Sequence, residues 1–197
     1  NSKSLLVAAR TLLPVSYTLA GVLGPFFPVA MAQMEIDLSW QTVIVSLWMT
    51  ARIPTMVLLE RWHGWHGKAW PLSLGAACLI LGFTGCIVAP VIGGSVIGIA
   101  SLVTALVLFG AGKGLVYTAA IYYALEVGEG EIDSGATHEA LIGVGYALGP
   151  AMGLLASLLV AGGAVSESAF TPILFAAAVI GSLALSGAIL LVHKKTH

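Results

Sequence analysis

The stretch "VIGIASLVTALVLFGAGKGLVYTAAIYYAL", residues 96–125, holds a single charged side chain, Lys113, near its middle. A run this long and apolar exceeds the roughly 20 residues that a helix needs to cross the hydrocarbon of a bilayer. An ammonium at that depth costs at least ~2.5 kcal/mol. The whole chain shares the character of this stretch: 58% of its residues are hydrophobic, 9% are charged, and the mean hydropathy is +1.00. Soluble domains carry about a quarter charged residues, so this chain belongs in a membrane. Apolar runs bounded by polar or turn residues fall at about 11–32, 40–60, 70–91, 97–125, 138–162 and 170–193. Barrel strands would alternate apolar and polar residues, whereas these runs are apolar on every face. The expected fold is an all-α, polytopic membrane domain of six spans.

The basic residues orient the spans. Lys3 and Arg10 precede the first, Arg61 and Lys68 lie between the second and third, and Lys194 and Lys195 follow the sixth. The opposite loops, 33–39, 92–96 and 163–169, contain no Lys or Arg. Basic residues concentrate in cytoplasmic loops, so both termini are expected in the cytoplasm. The loop "EVGEGEID" (126–133) is acidic, and acids weigh little in that rule. The chain starts at Asn1 without an initiator Met and reads as a piece of something longer.

Several function classes fit poorly. A net charge of −1 offers no basic surface for nucleic acid. His63, His66, His138, His193 and His197 all lie at span ends or in loops, which disfavours serine chemistry within the bilayer, and no enzyme activity is expected. His63 and His66 are the one close pair; in "RWHGWHGK" they read as part of a headgroup-level anchor with Trp62, Trp65 and Trp70 rather than a metal site. "GAGKGLVY" mimics the Gly and Lys of a phosphate-binding loop but sits inside a span, so ATP binding is not expected and no cofactor is implied. Cys78 and Cys86 share the third span and read as packing residues.

Helix breakers and small residues mark the functional candidates. The first span contains Pro14, Pro25 and Pro28 with Gly21 and Gly24, a composition expected to interrupt the helix and expose backbone to a cavity, or simply to kink it. The fifth places Gly145, Gly149 and Gly153 four apart, a small-residue face that admits a neighbouring helix.

Longer motifs then resemble a family. "GYALGPAMG" (145–153), with Pro150 after the second glycine, resembles the GxxxGPxxG pattern of the major facilitator superfamily. "SLWMTARIPTMVLLERWHGWHGK" (46–68) resembles the eighth helix and following loop of a prokaryotic branch, and "GLVYTAAIYYALEVG" with "HEALIGVG" resembles its helices ten and eleven. Gly67-Lys68 departs from the branch, where an aromatic and an Arg are usual, and so does Lys113, where a small or apolar residue is usual. The resemblance implies the carboxy-terminal half of a twelve-helix secondary transporter in the inner membrane. A second six-helix half would lie before Asn1, and the two would rock around a small-solute site by alternating access. The alternative is a non-transporting scaffold or assembly protein that keeps the fold.

Lys113 lies 13 residues before Glu126, roughly 20 Å at helical rise, too deep to snorkel. Gly110, Gly112 and Gly114 are expected to leave open space beside it. It reads either as a cavity-facing cation that binds an anionic substrate group or a carboxylate of the second half, or as a neutral or internally paired lysine bonded to backbone carbonyls of a kinked neighbour such as the first span. Tyr17, Pro25 and Tyr117 join it as substrate-cavity candidates. Arg52, Glu60, Arg61, Glu126 and Glu139 are cytoplasmic gate candidates, and Arg52 is expected to pair with Glu139, near the positive end of the fifth helix, either as a gate that closes in the outward-open state or as a static structural bridge.

Overall fold

The computed structural model describes residues 2–128 and 132–195, with side chains except at 132–134, 167 and 191–195. The 129–133 acids and the Lys194 and Lys195 side chains therefore lie outside the described residues. The described chain is helical: α1 (Ser2–Gln33), α2 (Leu38–Arg61), a 3-10 turn (His63–Trp65), α3 (Trp70–Ile92), α4 (Val96–Val127), α5 (Ile132–Ala161), a second turn (Glu167–Ala169) and α6 (Phe170–Lys195). All six helices are long and apolar enough to cross a membrane. They cover the expected spans, with α1 and α5 beginning well before the expected starts at 11 and 138 and the other ends within about two residues.

Local chemistry sets the boundaries. At the start of α2 the Asp37 carboxylate accepts the Ser39 amide at 2.9 Å and also the Ser39 hydroxyl, capping an otherwise unpaired donor. The Ser95 hydroxyl accepts the Gly98 amide at 3.2 Å and starts α4. Gly93, at φ 84°, ends α3 in a conformation that side chains resist. The prolines of α1 do not interrupt it: the helix is continuous from Ser2 to Gln33. Membrane helices tolerate proline where neighbours surround them, and α1 is packed by α3, α4, α5 and α6.

The packing has a crossed pattern. If α1–α3 and α4–α6 are taken as two triplets, the first helix of each lies against the second helix of the other: α1 packs chiefly on α5, and α4 packs on α2 as well as α3. By contrast α1 and α2 barely touch, and a cleft of about 580 Å³ lies between them, lined by Gly24, Phe27, Pro28 and Met31 of α1 and by Gln41, Val45 and Trp48 of α2.

Glycines allow the close crossings. A Cβ on Gly149 would come within 2.5 Å of the Gly21 Cα, and one on Gly145 within 2.5 Å of the Tyr17 Cβ. One on Gly153 would collide with the Pro25 ring. The 145–153 motif is therefore the seam between α5 and α1. The glycines flanking Lys113 do not leave open space. A Cβ on Gly110 would fall on the Trp48 carbonyl oxygen, and one on Gly114 would lie 2.9 Å from the Arg52 carbonyl oxygen. On Gly112 it would lie 2.8 Å from the Gly75 carbonyl oxygen. Their missing side chains bring α2 and α3 against α4.

The 62–69 loop also differs from expectation. Trp62 is half-exposed, but Trp65 is buried, its indole N–H donating to the Leu59 carbonyl at 2.8 Å. The ring of His66 stacks on Tyr122 at 4.1 Å, and the Tyr123 hydroxyl donates to the Lys68 carbonyl at 3.1 Å. Trp65 is thus a core residue pinning the loop onto the end of α4.

A candidate binding site around Lys113 and Arg52

Lys113 is fully buried, and its ammonium has no hydrogen-bond partner among the described residues. It does not line an open cavity, nor does it donate to α1 carbonyls. It lies instead over aromatic faces: 3.6 Å from the ring centre of Tyr17 on α1, 4.8 Å from that of Trp48 on α2 and 5.4 Å from that of Tyr146 on α5. Tyr17 and Tyr146 meet edge to face at 4.8 Å, closing one side of the cage. Ring quadrupoles attract a desolvated cation, by about 2 kcal/mol or more in the best cases. That recovers much of the cost of burying the charge.

One helical turn away a second layer repeats the motif. The Arg52 guanidinium lies 4.3 Å from the ring centre of Tyr117, whose other neighbour is the His138 ring at 5.4 Å. Arg52 Nε and His138 Nε2 are both buried without a hydrogen-bond partner among the described residues. The layering follows from spacing. Trp48 and Arg52 are four apart on α2, Lys113 and Tyr117 four apart on α4, and His138, Ile142 and Tyr146 four apart on α5, so each set lies on one face of its helix.

The close helix crossings set these side chains in place. Gly110 and Gly114 receive α2 at the Trp48 and Arg52 backbone, and Gly145 receives α1 at Tyr17. Trp48 and Tyr17 are therefore each seated on a glycine of the neighbouring helix, and Tyr146 directly follows Gly145 on its own helix. With larger residues there, α2 and α1 would stand off, and their rings would lose the ammonium.

The remaining candidates are elsewhere. Arg52 and Glu139 form no ion pair among the described residues; Glu139 is exposed while Arg52 is turned onto Tyr117. Glu60, Arg61 and Glu126 are exposed near the 62–69 loop, and Pro25 is half-buried on the α1–α5 seam. Trp48, Tyr146 and the role of His138 were not singled out from sequence, although their four-residue spacings were available to find them. Among the described residues no cluster of three or more His, Cys, Asp or Glu side chains could hold a metal ion.

The arrangement can bind negative charge: two cations, two unsatisfied N–H donors attached to them, and no acidic partner for either among the described residues. No family model, curated protein or solved structure matches this chain.

Proposed function

We propose that this chain is one half of a secondary transporter of the major facilitator kind, which moves a small solute across the inner membrane by alternating access with a second six-helix half. Both termini would face the cytoplasm, and the second half would precede Asn1. The observation that carries this reading is Lys113, a cation held without an acidic partner among the described residues, where α1, α2, α4 and α5 converge within the span. Ionisable groups at membrane depth are functional candidates by default and mark substrate and ion pathways among other roles.

Two further features support it. The crossed packing of α1 on α5 and α4 on α2 is what two exchanged three-helix repeats would produce. In addition, α2 buries little of itself, with Trp40, Met49, Ile53 and Leu58 exposed, which leaves a face for lipid or for the other half.

Alternating access is tested with single cysteines in a background lacking Cys78 and Cys86. Thr42→Cys would report on the α1–α2 cleft, and Met56→Cys on the Arg52 face of α2 nearer the 62–69 loop. A transported solute should change their labelling rates in opposite directions. Parallel changes, or none while the solute is bound, would refute the transport reading.

A further inference from the structure

We propose that Lys113 and Arg52 jointly bind a small organic anion, reached from the α1–α2 cleft by movement of the Trp48 indole. This assignment rests on the transport reading and names its substrate class. The first ground is electrostatic. Lys113 is fully buried and Arg52 partly so, and each has a buried N–H group without a hydrogen-bond partner among the described residues. Aromatic faces offset a buried charge but accept no conventional hydrogen bond, so Lys113 Nζ and Arg52 Nε retain donor capacity that a carboxylate would satisfy.

The second ground is spacing. Trp48 packs beside Lys113, and Arg52 follows it by four residues on α2, a rise of about 6 Å. One small acid can therefore touch both layers, with its hydrocarbon against Tyr17, Tyr117 and Tyr146.

Access is the third ground. Trp48 is at once a wall of the Lys113 cage and part of the lining of the 580 Å³ cleft. A rotation of this indole would join the cleft to the ammonium without unpacking α4. Depth then selects the source of the anion. Lys113 lies near the middle of α4, about 21 Å from its Val127 end. A lipid headgroup would remain far above it, whereas a free acid could reach it.

The test is calorimetric titration of the protein, in nanodiscs of phosphatidylcholine, with succinate, benzoate and inorganic phosphate, and with choline as a cationic control. At least one of the two carboxylates should bind saturably, and its affinity should fall tenfold or more in both Lys113→Met and Arg52→Gln. The bound acid should also alter indole emission in the wild type, a change absent from Trp48→Phe; this second readout stands if Lys113→Met does not fold. Failure of both carboxylates to bind, or undiminished affinity in Lys113→Met, overturns the assignment. If neither carboxylate binds but phosphatidylglycerol added to the nanodisc produces the emission change, the occupant is a headgroup and the assignment also fails. Carboxylate binding without any transport would leave this site standing and remove the transport reading. Transport of a cation or neutral solute without anion binding would do the reverse.

Discussion

The Lys113 ammonium lies 3.6 Å from the centre of the Tyr17 ring, closer than to any of its other aromatic neighbours. Two opposing terms meet there: at least ~2.5 kcal/mol for a charge at membrane depth and about 2 kcal/mol returned by a desolvated cation–π contact. Because they nearly cancel, Lys113→Met should change unfolding stability by less than about 1 kcal/mol. Tyr17→Leu should be costly in the wild type and less costly beside Lys113→Met, with a coupling of about 1–2 kcal/mol in the double-mutant cycle. Tyr17→Phe, which keeps the ring, should show little coupling. A cycle with no coupling, read from chemical denaturation in detergent, would mean that the ring does not hold the charge.

The α1–α5 seam predicts a contrast between two glycines of one helix. Gly149 has the Gly21 backbone 2.5 Å from where its Cβ would be, whereas Gly143 has nothing within 4 Å. Gly149→Ala should destabilise by about 1–3 kcal/mol through overpacking, and Gly143→Ala should be neutral or stabilising by up to about 1 kcal/mol. Thermal unfolding midpoints of the two variants compare them directly; equal midpoints would contradict the seam.

Asp37 supplies a pH dependence outside the spans. Hydrogen bonds from the Ser39 hydroxyl and amide hold its carboxyl below the usual carboxylate range. A folded pKa below the unfolded one contributes stability that is present above the unfolded value and is lost as pH falls through the folded value. The stability gap between wild type and Asp37→Ala should therefore be full at neutral pH and should close on acidification. A gap that is unchanged on acidification would contradict the capping role.

Much of the fold is legible in the chain. Six apolar runs separated by short polar loops leave few alternatives, because a backbone in hydrocarbon must satisfy itself within helices. Lys113 and Arg52 stand out as charges in such runs, and the glycines at 145, 149 and 153 announce a close crossing. Which face of each helix turns inward is harder to read. Runs that are apolar all round carry no amphipathic signal, so Trp48 and Tyr146 look like any other apolar residue until α2 and α5 are set against α4 and α1. The same ambiguity misleads at Gly110 and Gly114. Small residues beside a lysine suggest space, but α2 fills it. At Trp65, an aromatic in a basic loop suggests a headgroup anchor, and only the packing of the loop under Tyr122 and Tyr123 shows it to be core. In this conformation Arg52 lies on Tyr117, while the Glu139 carboxylate is exposed.

Uptake of a radiolabelled organic acid identified by the binding titration, into proteoliposomes holding the protein together with the proposed second six-helix half, tests the central claim most directly. The account predicts saturable uptake by the wild type and loss of at least nine-tenths of the initial rate in Lys113→Met at equal incorporation, about 1.4 kcal/mol at a tenfold change. Uptake by Lys113→Met at the wild-type rate, or no uptake by a wild type that binds the acid, would contradict it.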